Sequence, residues 1–428
     1  MRNPVAAIIA RVSQTNEPKA RFRDIIASRK MLVIMALGAA SGFPNQITES
    51  TLQAWLKDGG TSNTQIGLLS YVAIPYLLKF LWAPLLDRFP LPLLGRRRGW
   101  MLAIQFAISA SVALLAVQNP AGSLSAVAVT ALVIVFFSAS QDIVIDAYRT
   151  DVAQPNERGL AAAANNLGYR ASAWLAFSAA LVVADAVGWR PALFLLAGVM
   201  LLFTIATWRA PEPEYSEPPP ASLGQSVKES LRELMGSPGA WGLIAVIVTF
   251  KIGGAMALKL FTPFLMDVGF TKTEIGLVAK AVLTTSAIVG GVLGGVWMVR
   301  LGLLRSMLLF GVLQTVTILA FYLLAMTGRS FPLMITATAV ENLTAAMGNI
   351  AEVALIMAMC SARYSAFQYA LLSVLAMSPR YLLGGPAGWL ADHGGWPTYY
   401  VVTFAVSIPG VLLVWLMRDR IAALDTKR

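Results

Sequence analysis

The chain has 428 residues, 57% of them hydrophobic and only 13% charged, with a net charge of +11 and a mean hydropathy of +0.67. Soluble domains carry about 25% charged residues, so a chain this poor in charge is built for lipid rather than water. One cysteine, Cys360, and one histidine, His393, argue against a disulfide framework, a Cys- or His-ligated metal centre and a histidine-based triad.

Residues 1–30 hold seven Lys and Arg and no long apolar run. No small-residue cleavage site follows the first hydrophobic segment, so this stretch is not a cleavable signal. It reads as a cytoplasmic lead-in, either partly amphipathic at the bilayer surface or disordered. Apolar segments then recur at 31–56, 64–86, 100–117, 122–150, 158–185, 190–208, 239–266, 274–299, 305–327, 331–358, 366–391 and 396–417. Each is long enough to span a bilayer as a helix, which takes about 20 residues. The polar stretch 209–238 opens with the stiff, Pro-rich APEPEYSEPPP. A surface helix follows, with Leu223, Val227, Leu231 and Leu234 on one face. This linker divides the chain into an N-terminal six-helix half (31–208) and a C-terminal one (239–417), with a cytoplasmic tail at 418–428. The fold expected is an all-α membrane protein of twelve helices in two related halves.

Orientation follows from charge. With the N-terminus inside, the inside segments hold 23 Lys and Arg and the outside segments hold 4. Both termini are therefore expected in the cytoplasm, and the basic charge needs no nucleic-acid partner. The halves also echo each other. Arg170, Asp185 and Gly188-Trp189 in and after the fifth span match Arg380, Asp392 and Gly395-Trp396 in and after the eleventh. Asp87-Arg88 with Arg96, Arg97 and Arg98 is answered by Arg300 and Arg305. Two such halves around a midplane site is the design of an alternating-access transporter.

Charged side chains within spans are costly and face a cavity or one another. The acids are Glu49, Asp142, Asp146, Glu341 and Glu352; the bases are Lys79, Arg170, Lys251, Lys259, Lys280 and Arg380. The slight excess of bases suits an anionic substrate. Asp142 and Asp146 lie one turn apart on one helix face and resist joint ionisation, which makes them proton-coupling candidates with Arg170 as counter-ion. A static network locking helices together is the alternative. Glu341 and Glu352 are about three turns apart, flanked by Asn342 and Asn349, with Lys251 and Lys280 at interior depth on other spans. Glu341 joins the proton-coupling set. Tyr169 and Trp174, with Trp55, Tyr71, Tyr76 and Trp82, offer faces for sugar rings or serve as an interfacial belt. Asp87, Arg88, Arg96, Arg97 and Arg98 are positioned as a cytoplasmic gate of ion pairs, as a topology signal, or as both.

Several stretches carry a family resemblance: SGFPNQITESTLQAW (41–55), KFLWAPLLDRF with GRRRGW (79–100), SASQDIVIDAYRTDV (138–152), ERGLAAAANNLGYR (157–170), FKIGG (250–254), ENLTAAMG (341–348) and FQYALLSVLAMSPRYLLGGPAGWL (367–390). In order and coverage they resemble AmpG-type muropeptide permeases of the major facilitator superfamily. The resemblance implies a proton-coupled importer of N-acetylglucosaminyl-anhydromuramyl peptides across the bacterial inner membrane, for cell-wall recycling. It places the family's functional Gln-Asp pair on Gln141 and Asp142, its fifth-span Arg on Arg170 and its intramembrane Lys on Lys251. Gly254 stands where the family commonly carries an acid. The substrate-binding set expected is Gln141, Arg170, Lys251, Lys280, Asn342, Tyr169 and Trp174. The partners expected are an anionic sugar-peptide, protons and the lipid bilayer. No cofactor, metal, nucleic acid or enzymatic activity is expected, and the chain is expected to be a monomer. Two rivals remain: a same-fold carrier of another bulky anion, such as a siderophore or a CoA ester, and a non-transporting membrane receptor for muropeptides.

Overall fold

The computed structural model describes residues 28–83, 86, 91, 95–120, 122–152, 158–211, 223–236, 239–360 and 365–425. The predicted lead-in up to residue 27, Asp87, Arg88, the Pro-rich stretch 212–222 and the last three residues lie outside them.

Among the described residues, nine helices are long and apolar enough to cross a bilayer. Two of these run through a glycine with non-helical torsions, Gly302 (φ 75°, ψ 174°) and Gly395 (φ 70°, ψ 169°), so each is two crossings. The second predicted span is helical but broken into short pieces by 3-10 turns at Ser70–Ala73 and Lys79–Leu81. The crossings are therefore twelve: α1 (Arg29–Asp58), α2 (63–81), α3 (Arg96–Ala116), α4 (Leu124–Val152), α5 (158–187), α6 (Trp189–Arg209), α7 (Ala240–Val268), α8 (272–301), α9 (303–327), α10 (Phe331–Met359), α11 (365–394) and α12 (396–416). Between the halves lies the linker helix Leu223–Gly236. Helices are what lipid demands, because each satisfies its own backbone hydrogen bonds. Apolar side chains face outward as freely as inward: Val299 is 86% exposed, and Leu202 and Val129 are each 62% exposed.

The two halves repeat their turns. Ser62 and Gln65 form a capping box that starts α2; Thr271 and Glu274 form the equivalent one that starts α8. Gly188 before α6 has φ 91° and ψ 171°, close to Gly395 before α12. Side chains are essentially excluded from that backbone region, so glycine is what lets these adjoining spans reverse direction without a loop.

The recurring Asp and Gly-Trp residues build one closed end of the molecule. Asp58, at the end of α1, accepts hydrogen bonds from Trp189 Nε1 of its own half (2.7 Å) and from Lys272 Nζ of the other half (3.0 Å). Asp267, near the end of α7, accepts from Trp396 Nε1 of its own half (3.0 Å) and pairs with Lys57 Nζ of the other (2.7 Å). Asp185 accepts from Thr273 Oγ1 across the divide (2.6 Å), and Asp392 accepts from the backbone N–H groups of Asn63 (3.0 Å) and Thr64 (2.6 Å), capping α2 from the opposite half. Each Lys–Asp bridge is partly exposed. Its worth falls between the ~0–1 kcal/mol of a surface pair and the ~3–5 kcal/mol lost when a buried pair is broken. Beneath these contacts α2 and α11 meet backbone to backbone: a Cβ on Gly388 would lie 2.1 Å from the Asn63 carbonyl oxygen, and one on Gly67 would lie 2.0 Å from that of Gly384. At the opposite end Arg97 pairs with Asp151 (2.8 Å) and Arg98 donates to the Ala210 carbonyl (3.3 Å), both inside the first half.

Removing both anions of the closed end, with Asp58→Asn and Asp267→Asn together, is expected to loosen it. In a Cys360→Ala chain with Gln53→Cys as a cavity reporter, an impermeant thiol reagent applied from that side should react about tenfold faster, the effect of roughly 1.4 kcal/mol. Unchanged labelling would show that the bridges do not hold this end shut. Gly388→Val, with every charge intact, should raise labelling in the same way, because overpacking at a backbone contact costs about 1–3 kcal/mol; labelling at the parent rate would remove the glycine contact from the account.

Candidate functional site

Lipid solvates no charge, so the interior charges must gather where water or a counter-charge is found. A cavity of about 500 Å³ lies between the halves, lined by residues that include Glu49 of α1, Lys251 and Lys259 of α7, Lys280 of α8, Asn349 and Glu352 of α10, and Arg380 of α11.

Almost every one of these charges sits at a break in its helix. Glu49 lies in a π-helical turn, Ile47–Thr51, just after Pro44. Proline has no N–H to give its helix, and a π-turn re-aims the side chains within it. Lys251 separates two helical pieces of α7, and Lys259 precedes a second break at Leu260. Lys280 follows the π-turn Ile275–Ala279, and Arg380 follows Pro379. The breaks bring otherwise lipid-bound backbone and side chains to the cavity wall.

The cavity holds two charge groups. Lys251 Nζ pairs with Glu352 (3.3 Å) and donates to Asn349 Oδ1 (3.0 Å). Arg380 binds Glu49 through two parallel bonds of 2.6 Å each, joining α11 to α1 across the halves. Lys259 Nζ donates to the Arg380 carbonyl (2.7 Å), and Lys280 Nζ reaches Gln46 Oε1 (3.4 Å) while lying 5.2 Å from the centre of the Phe177 ring. Glu49 and Lys259 also line a smaller recess shared with Tyr76 and Tyr381.

A second polar cluster lies inside the first half. Asp142 accepts a short hydrogen bond from Ser41 of α1 and pairs with Lys79 (3.5 Å). Tyr76 hydrogen-bonds Ser138 (2.6 Å), one turn before Asp142, and Trp82 Nε1 donates to Ser140 (3.0 Å). The cation beside Asp142 is thus Lys79, not Arg170; Arg170 is exposed and has no ion pair among the described residues. Asp146, one turn further along α4, is more than half exposed and pairs with Arg149 (3.2 Å).

Of the predicted substrate-binding residues, the cavity collects Lys251 and Lys280. Gln141 is fully buried, and neither polar atom of its side chain finds a partner among the described residues. Asn342 is nearly buried and donates to the Thr338 carbonyl of its own helix (2.9 Å). Tyr169 packs against Gly42 of α1, and Trp174 is half-buried in the α5 π-turn; neither lines the cavity. Glu341 is fully buried, with no donor to either oxygen among the described residues. It lies beside Gly254, where a Cβ would be 3.8 Å from Glu341 Oε1 and 2.0 Å from Gln314 Nε2. Of the predicted gate, Asp87 and Arg88 fall outside the described residues, as does the side chain of Arg96, while Arg97 and Arg98 hold the first-half contacts given above. The Glu49–Arg380 pair and the tether from Lys259 were not assigned from sequence. The available signal was proline beside two of the interior charges.

Comparison with known proteins agrees with this arrangement. Residues 34–378 match the family profile of the Major Facilitator Superfamily. The chain is 40% identical to the Anhydromuropeptide permease of Escherichia coli (strain K12) over 93% of this chain and 82% of that one. It is 28% identical to the Putative transporter AmpG 4 of Rickettsia conorii, over 94% and 99% of the two chains. In fold it is similar to a bacterial homolog of the human lysosomal transporter Spinster in its inward-facing, unoccupied form (TM-score 0.67, 16% identity, 95% and 98% covered). It is also similar to a D-xylose–proton symporter (TM-score 0.69, 14% identity, 90% and 97% covered). A twelve-helix chain in two repeated halves, matched over most of its length by that profile and by these relatives, belongs to the major facilitator superfamily, in its AmpG-type branch.

Proposed function

We propose that the chain imports an anhydromuropeptide, an anionic sugar-peptide, across the bacterial inner membrane together with protons. The observation that carries this reading is the cavity between the halves, where more bases than acids face a space large enough for a bulky anion. The 40% identity to a protein named for that substrate supports it. Orientation follows from the Lys and Arg distribution, which sets both termini in the cytoplasm and the Lys–Asp bridged end toward the periplasm. Arg96, Arg97 and Arg98 at the start of α3, with Asp87 and Arg88, then serve the cytoplasmic face. The chain works as a carrier, not an enzyme, and as a monomer.

In this reading Lys251 and Lys280 meet the substrate's acidic groups, and Asp142 couples transport to protons. Asp142 has one base and one hydroxyl beside it. It can trade its bridge to Lys79 for a proton, and that trade removes one of the polar ties between α2 and α4, beside the Tyr76–Ser138 bond. Glu341, buried without a donor, is the second carboxylate suited to hold a proton, and Asp146, at the exposed edge, the third.

The test is uptake into proteoliposomes with an imposed pH gradient. Asp142→Asn keeps size and hydrogen bonding but does not titrate. It should cut gradient-driven accumulation by about two orders of magnitude, the range typical of losing a proton-transfer group, while leaving downhill exchange in place. Accumulation at the wild-type level would move the coupling role to Glu341. Uptake of no anhydromuropeptide by the wild type would overturn the substrate.

A further inference from the structure

The Glu49–Arg380 pair is not placed like a structural salt bridge. It joins α1 of one half to α11 of the other at mid-depth, inside the cavity. Its Arg is 56% exposed to the cavity at the side chain, while its Glu is 22% exposed. Around one carboxylate stand three cations: Arg380, Lys259 and Lys280. Lys259 is tied to a backbone carbonyl and Lys280 to a glutamine amide, and neither forms an ion pair among the described residues. The nearest other acid of the cavity, Glu352, is already engaged by Lys251. This corner is thus an anion site with one internal anion and charge to spare. The planar, two-bond contact is the geometry that guanidinium offers to any carboxylate.

We infer that Arg380, supported by Lys259 and Lys280, is the seat for a carboxylate of the substrate's peptide, and that Glu49 occupies that seat while the cavity is empty. The inference rests on the transport reading above and gives it a recognition step. An incoming carboxylate replaces Glu49 on Arg380. The two bonds that Glu49 loses are re-formed by the ligand, so the Arg380 guanidinium keeps a carboxylate partner throughout the exchange. Glu49 turns to Lys259 or Lys280. The consequence is mechanical as well: α1 is no longer held to α11, and the halves are freed at mid-depth only when an anion is present. A neutral ligand replaces Glu49 less well, because it offers the guanidinium no charged, two-oxygen acceptor against a tethered carboxylate. Glu49 is therefore a selectivity filter for acidic peptides and a latch between the halves.

The experiment is equilibrium binding to the purified full-length protein with two probes: an anhydromuropeptide with free peptide carboxylates, and the same compound with those carboxylates converted to carboxamides. Wild type should prefer the acid form by about tenfold. Glu49→Gln removes the competitor and should bind the acid form several-fold more tightly, with the amide form little changed. Arg380→Gln should lose the preference, and Arg380→Lys should keep part of it as a point charge. Should Arg380→Gln fail to fold, Lys259→Gln gives the same reading through a smaller fall in preference. Glu49→Gln that weakens both probes, or Arg380→Gln that keeps the wild-type preference, overturns the inference. A wild type that binds both forms equally overturns it while leaving the transport reading standing; a wild type that binds neither overturns the transport reading and this inference with it.

Discussion

A charge inside a bilayer must meet water or an opposite charge, and most features of this molecule follow from where its interior charges find one. The lipid-facing surface is apolar because nothing else is allowed there. Six of the interior charges line the plane between the halves, where Lys251 pairs with Glu352 and Arg380 with Glu49. Helix breaks are the means. Glu49, Lys251, Lys259, Lys280 and Arg380 all lie at a π-turn, a proline or an interrupted helical segment. Such breaks are tolerated at this depth only where they line a cavity or are covered by protein.

The contacts between the halves form two tiers. At the closed end, Lys57–Asp267 and Lys272–Asp58 repeat the same bridge with the halves exchanged. Each Asp is steadied by a tryptophan from its own half. At mid-depth stands the asymmetric Glu49–Arg380 pair. The symmetric tier suits a seal, since both halves contribute equally to opening and closing it. The asymmetric tier suits recognition, since one half brings the seat and the other brings what fills it. Many small ion pairs, each worth little alone, let such an assembly change between states without a deep energy trap.

Much of the architecture was legible in the sequence because lipid enforces length and hydropathy. Even the broken α2 was recognised, since a hydropathy pattern is blind to 3-10 turns. The Asp and Gly-Trp repeat was visible too, and the structure gives it a physical role: the Gly supplies the turn, Trp189 and Trp396 bond Asp58 and Asp267 of their own halves, and Asp185 and Asp392 of the repeat reach the other half. Pairing was less legible. Sequence proximity of spans suggested Arg170 for Asp142, but rotation about the helix axis decides partners, and Lys79 faces that carboxylate. The same rotation separates Gln141 from Asp142, because successive residues point about 100° apart; Asp142 turns to α1 and α2 while Gln141 is packed away. Glu49 and Arg380 are 331 residues apart, and no local spacing announces their contact.

Transport by this fold requires the halves to move against each other about the charged cavity, one end closing as the other opens. Distances between pairs of spin labels test it most directly. In a Cys360→Ala chain, one pair at Ser123 and Thr327 reports the bridged end; another at Trp208 and Met357, which are 63% and 56% exposed, reports the opposite end. Addition of a defined anhydromuropeptide at acidic pH should lengthen the first distance in part of the population and shorten the second in the same part. Saturating ligand that leaves both distances fixed, or moves them in the same direction, would contradict the account.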